Sequence, residues 1–250
     1  VTYFIDKIRV EHSSNSGTSI LHGYIPSVGL TYYSGQGHTV GQCYKCPDQP
    51  VVYINTPKCA SSFMKTHLLN LGWENKFLQL GDWVADNPSD MMPVSDVEKF
   101  IVVMRDPYDR WLSGIAEYFG EYFNDHEGIF EYLNNPLTLK LLAQRVSFDD
   151  HTESQLFFLQ NVPLEKCVFL RQEQGLNFKI SEYFRTVLNI PNNISSEKPV
   201  HVSTGGSWNG RVKQHLNRLL RENNVEYMNV LKTMEQDYEF MDNIVHFYGD

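Results

Sequence analysis

Apolar positions along this chain switch between short continuous runs and a helical repeat, and the switches mark its elements. Residues 51–55 (VVYIN) form a β-branched and aromatic run that reads as a buried strand. The compact polar segment TPKCASS follows it. SFMKTHLLNLG then repeats apolar residues at helical spacing through Phe63, Met64, His67, Leu68 and Leu71, with Gly72 as the stop. KFLQL predicts a second short strand. KFIVVM, residues 99–104, is the clearest buried strand in the chain. RDPYDRWLSGIAEYF turns at once into a helix. Its Pro107 suits a first turn, where a missing N–H costs nothing, and Trp111, Ile115 and Phe119 fall on one face.

Residues 127–145 read as helix broken near Asn134 to Pro136, and HTESQLFFLQ as a short helix after Asp149 and Asp150. KCVFLR predicts another buried strand, and GLNFKISEYFRTVLNI an amphipathic helix. The linker NIPNNISSEKP and the polar loop HVSTGGSWNG lead into terminal helices carrying Leu216, Leu219, Leu220, Val230, Leu231 and Met234. This succession predicts an α/β class, with three layers and a mostly parallel central sheet flanked by helices, over residues 51–250. Residues 1–50 are dominated by turn formers, as in SSNSGTS and YYSGQGHTVGQ. They predict an irregular N-terminal arm or lid with short strands.

Composition narrows the partners. The 250 residues suffice for one sizeable core. A net charge of -9, from 21 basic and 30 acidic residues, makes a poor generic nucleic-acid binder. A small phosphorylated ligand in a locally basic cleft remains compatible. No apolar run reaches the roughly 20 residues of a membrane-spanning helix. The first residue is Val and no secretory leader opens the chain. The expected compartment is cytoplasmic if that end is native, and lumenal if a leader has been removed. Cys43 and Cys46, in CYKCP, supply two of the four ligands of a structural zinc site and His38 a third. With no fourth in view, a disulfide or two unlinked thiols is the expectation, and no metal is assigned. NIS at residues 193–195 fits a glycosylation sequon, of consequence only in a secretory chain.

The chemistry concentrates where strand meets helix. In VVYINTPKCASSFMKTHL a tight loop delivers the chain into a helix whose first N–H groups can face an anion. Lys58 adds a cation, and Ser61 and Ser62 add hydroxyls, a set able to neutralise charge developing on a phosphosulfate oxygen. The Walker pattern G-x-x-x-x-G-K-[ST] is absent.

TPKCASSFMKTHL resembles the 5′-phosphosulfate loop of the sulfotransferases that use 3′-phosphoadenosine 5′-phosphosulfate (PAPS). VVMRDPYDRWLSGIAEYF resembles their 3′-phosphate segment, a strand followed by Arg-Asp-Pro and a later Ser. The order of the two is also the family's. The resemblance implies a P-loop-like fold and PAPS as co-substrate, with its desulfated form PAP as product. It implies that Lys58 contacts the bridging oxygen or sulfuryl group. Cys59, Ala60, Ser61, Ser62 and Phe63 would line the phosphosulfate through backbone N–H groups. Arg105 and Ser113 would grip the 3′-phosphate, where Arg offers a planar bidentate fork. Asp106 and Arg110 are assigned to structure, and Asp109 could join an ion pair. Gly206 and Trp208 stand where many relatives carry a loop that closes over the nucleotide, with Arg211 or Lys213 as added charge.

Sulfuryl transfer to a hydroxyl benefits from a base. HTESQ resembles the His-x-x-x-Gln element of some Golgi polysaccharide O-sulfotransferases, which implies His151 as base with Gln155 one helical turn later. Glu153 and Asp82 are the alternatives; His67 falls on an apolar helix face. The expected function is direct in-line transfer from PAPS to a hydroxyl acceptor, a saccharide or another alcohol. The rivals are a nucleotide-dependent phosphotransferase and a noncatalytic carbohydrate-binding protein of sulfotransferase-like fold.

Overall fold

The computed structural model describes residues 9–12, 19–25, 30–33, 41–79, 88–122, 128–144, 147–191, 206–244 and 247–248. Its internal contacts group the chain into two compact units. The first comprises Val1–Val40, Pro107–Ser154 and Ser203–Tyr238, and the second Gly41–Asp106, Gln155–Val202 and Glu239–Asp250.

The second unit holds a six-stranded sheet. Its strands are β4 (Gln42–Lys45), β5 (Val51–Ile54), β6 (Glu74–Gln79), β7 (Met91–Pro93), β8 (Lys99–Met104) and β9 (Cys167–Arg171), in the order β7-β6-β4-β5-β8-β9. β4 runs antiparallel to both its neighbours, whereas the β5–β8, β6–β7 and β8–β9 pairs are parallel. The result is a mixed α/β sheet, flanked by helices, in which only β4 is reversed. β4 comes from within residues 1–50, so the expected N-terminal arm gives an interior strand to the sheet. Tyr44 and Cys43, each at most 1% exposed, supply the apolar positions that allow it.

Both faces of β5 and β8 are buried, as their unbroken apolar runs demand. Tyr53, Ile101, Val103 and Leu170 point to one face, where α1 (Ser61–Asn70) adds Met64 and Leu68 and α5 (Leu176–Thr186) adds Ile180 and Phe184. α1 ends where Gly72 takes φ 80°, a conformation that a residue without a Cβ adopts at no steric cost. From β5 the chain moves through α1 to β6 on one side, and the strand that follows β8 in the chain, β9, lies on the other side. The adjacent carboxyl ends of β5 and β8 are therefore a topological switch point, the place where sheets of this class receive ligands.

Among its described residues the first unit holds a separate antiparallel sheet of β1 (Arg9–His12), β2 (Ser19–Ile25) and β3 (Leu30–Tyr33) beside its helices. Its core gathers Trp111, Ile115 and Phe119 of α2 (Pro107–Tyr122) with α3 (Gly128–Asn134), α4 (Pro136–Gln144), α6 (Trp208–Glu222) and α7 (Asn224–Thr233). The helix break expected near Asn134 to Pro136 falls between α3 and α4. The last helix is α8 (Glu235–Asn243).

The segment HTESQLFFLQ departs from expectation. It forms a turn through residues 149–153 and then a short 3-10 helix at Gln155–Leu159. The cause is Asp149, whose Oδ1 accepts from the Thr152 amide at 3.1 Å and from the Thr152 hydroxyl at 2.9 Å. Such local side-chain bonds compete with helical ones.

Candidate functional site

In the second unit the β5–α1 connection is sharply turned. The Cys59 amide donates to Thr56 O at 3.2 Å, and Lys58 and Ala60 take φ values of 64° and 56°. Non-glycine residues rarely adopt positive φ, because Cβ crowds the backbone. Two such residues on either side of Cys59 mark a loop whose shape the surrounding structure imposes. Ala60 precedes α1 in left-handed conformation and provides no side-chain cap, and no acidic residue occupies the first turn. The amides of Ser61, Ser62 and Phe63 come before Met64, whose N–H closes back on Ala60 O at 2.9 Å. They are the first-turn donors that a helix offers to anions.

The side chains of this loop divide by burial. Cys59 and Phe63 face the core, so only their backbones are available to a ligand. Ser61 and Lys58 are half-buried and Ser62 is exposed. Arg105 follows β8 directly, and its Nη1 donates to Lys58 O at 3.1 Å. Arg105 is itself held at the backbone by Gln155. The Gln155 Oε1 accepts from the Arg105 amide at 2.9 Å, and its Nε2 donates to Arg105 O at 2.8 Å. The same Oε1 accepts from the Cys59 thiol at 3.1 Å. Lys58, Cys59, Arg105 and Gln155 thus form one hydrogen-bonded assembly at the switch point. Gln155 is 1% exposed, so the bonds it makes within this assembly are buried. The amide of Asp106 donates to Glu173 Oε1 at 2.9 Å, which fits its structural assignment.

In the first unit Ser113 lies on α2. Its hydroxyl donates to Asp109 O at 2.9 Å and accepts from Lys213 Nζ at 3.2 Å; the same ammonium lies 3.8 Å from Asp109 Oδ1. Of the two late cations suggested by the sequence, Lys213 is therefore the one brought to Ser113. Arg211 instead lies over the Trp208 ring at 5.7 Å. Trp208 opens α6 behind its cap Ser207, stands edge-on to Phe130 at 5.4 Å between centroids, and is half-buried, while Gly206 is exposed.

His151 sits on the turn that Asp149 caps. Its Nδ1 lies 3.0 Å from Asp149 Oδ2 and 3.2 Å from Asp150 Oδ1. Ionised carboxylates only accept, so Nδ1 carries the proton and Nε2 becomes the basic nitrogen. The turn is braced from α2. Arg110, 2% exposed, donates to Glu153 O and to Asp150 O, the latter at 3.2 Å. Gly114 presses so closely that a Cβ there would stand 2.1 Å from His151 O. Arg110 therefore has the structural role expected of it. Glu153 accepts from the Ser147 hydroxyl at 2.6 Å, and burial pushes its carboxyl above the ordinary value.

The remaining candidates are placed more simply. Asp82, His38 and residues 193–195 lie outside the described residues. His67 stacks on Phe63 and packs against Phe184, each at 6.1 Å, as its apolar position implied. Cys43 and Cys46 are both free buried thiols, and burial pushes Cys43 up to about 12. Asp149, Asp150 and His151 bring three ligand-type atoms within 4.8 Å of one another, a grouping that the histidine–carboxylate bonds already account for.

No protein-family profile, curated protein or solved structure matches the chain.

Proposed function

We propose that the chain is a sulfotransferase that moves a sulfuryl group from PAPS to a hydroxyl acceptor. The observation that carries the proposal is the assembly at the switch point of the second unit. There an uncapped helix N-terminus, the cation Lys58 and the guanidinium of Arg105 belong to one braced structure. Bound PAPS supplies the activated sulfuryl group. The first-turn amides of α1 hold its phosphosulfate, and Lys58 neutralises the bridging oxygen as the S–O bond to it breaks. Arg105 keeps donors beyond Nη1 for the 3′-phosphate. His151 accepts the acceptor's proton at Nε2, with Asp149 holding the ring. The acceptor class that the HTESQ element favours is a saccharide. The P-loop-like likeness of the fold belongs to the same proposal.

Calorimetric titration of the wild-type chain, Lys58→Ala and Arg105→Ala with PAP and separately with ATP tests it. Saturable PAP binding that both variants weaken, with little ATP binding, is expected. Preference for ATP would move the assignment to a phosphotransferase. No nucleotide binding by folded protein would favour the noncatalytic alternative.

A further inference from the structure

Gln155 uses both ends of its amide within the switch-point assembly. Its carbonyl oxygen takes two donors, the Arg105 amide and the Cys59 thiol, while its NH₂ returns a bond to Arg105 O. Arg105 N and O belong to the end of β8, and Cys59 belongs to the loop after β5. One buried side chain therefore ties the two strand ends together at a fixed spacing, and the Nη1 of the tied arginine reaches the carbonyl of Lys58. Only a side chain with a donor and an acceptor on one carbon meets this demand. Asn is a methylene shorter, Glu lacks the donor when ionised, and Met has neither a strong donor nor a strong acceptor.

We propose that Gln155 is a positioning residue that sets the distance between the Cys59 loop and Arg105, and so selects a ligand with two separated phosphate groups, a nucleoside 3′,5′-bisphosphate, over a 5′-monophosphate. This rests on the donor-site assignment made above. Gln155 acts through Arg105 and the loop and does not itself touch the ligand.

The test compares PAP with 5′-AMP on the full chain, by calorimetry, for wild type, Gln155→Met and Gln155→Glu. Leaving buried backbone groups unpaired should lower PAP affinity in Gln155→Met by about ten- to a hundredfold. Affinity for 5′-AMP should change far less, so the ratio between the ligands collapses. Gln155→Glu carries its own signature. A buried carboxyl is readily protonated, and its protonated form regains a donor. Its PAP affinity relative to wild type should therefore recover as pH falls from about 7.5 to about 5.5. Equal loss of both ligands in Gln155→Met, or no pH recovery in Gln155→Glu, overturns the proposal.

Amide hydrogen exchange separates this from failure of the donor-site assignment. The Arg105 N–H should lose protection in Gln155→Met, whether or not a nucleotide binds, whereas Gln155→Glu keeps an acceptor for it. Unchanged protection at Arg105 in Gln155→Met overturns the clamp. Lost protection in a protein that binds neither ligand overturns the bisphosphate selectivity together with the donor-site assignment, and leaves the clamp as an observed tie between two strand ends.

Discussion

The guanidinium of Arg105 donates to the carbonyl of Lys58 at 3.1 Å, joining residues that lie 47 positions apart. The bond fastens a loop residue held at φ 64° to the end of the neighbouring strand. Replacing Arg105 by Lys keeps the charge and removes the fork. One ammonium cannot brace the carbonyl and grip an anion with the same planar geometry. Losing a charge-assisted bond of about 1.5–3 kcal/mol should weaken PAP binding by roughly ten- to a hundredfold in calorimetry. The melting temperature should move by only a few degrees.

Lys58→Gly and Ala60→Gly separate strain from function. Each residue occupies positive φ, where a Cβ costs about 1–2 kcal/mol that glycine does not incur. Glycine's greater freedom in the unfolded chain returns part of this gain. Urea denaturation should show both variants at least as stable as wild type, by up to about 1 kcal/mol. PAP binding should persist in Ala60→Gly and fall sharply in Lys58→Gly. A Lys58→Gly protein that binds PAP as wild type does would remove the cation from the site.

Gly114→Ala should be costly although it adds one methyl group to a helix. The new Cβ would meet the His151 carbonyl at 2.1 Å, and that neighbour is backbone held by Arg110 and Asp149. Overpacking of this kind costs about 1–3 kcal/mol or displaces the neighbouring turn. Urea unfolding reads the first outcome, and a shifted His151 imidazole resonance the second. An unaltered protein by both measures would contradict the close approach.

Glu153 gives the fold a pH dependence. Burial raises its carboxyl above the ordinary value of 4.5, so the folded state binds its proton more tightly than the unfolded chain does. The stabilisation that this supplies is fully present below the unfolded value and is lost as pH rises through the folded one. Glu153→Gln keeps an acceptor for the Ser154 amide and offers Ser147 a donor in place of an oxygen. The variant should therefore show a flatter stability profile just above the ordinary carboxylate range and greater stability than wild type at neutral pH. Urea midpoints measured across that range check it. A variant whose profile parallels that of wild type would assign the slope to other groups.

The elements with continuous patterns were plain in the chain itself. The five consecutive apolar residues Phe100–Met104 of β8 needed no tertiary knowledge, because a strand stretch buried on both faces must be apolar at every position. The loop between β5 and α1 announced itself by falling between two such patterns. Other elements were hidden. β4 is four residues long and sits among turn formers, so its partners β5 and β6 decide it rather than its own propensity. The turn at Asp149 defeats a helical pattern through one carboxylate that bonds Thr152 instead.

The candidate site shows the same division. Lys58, Arg105, Ser113 and His151 are recognisable by residue type and by their place next to a strand or helix, since charge and hydroxyl chemistry are properties of single residues. Gln155 was visible only as a member of a spaced pair with His151, and its bonds go instead to Arg105 and Cys59, 50 and 96 positions away. Lys213 reaches Ser113 across 100 residues. No local pattern encodes such pairings, because they depend on which strand ends and helix faces the fold sets side by side. The sequence by itself determined the buried strands, the loop chemistry and the types of group available. The tertiary structure alone decided which of those groups share hydrogen bonds, since distance in space is fixed by packing and not by position in the chain.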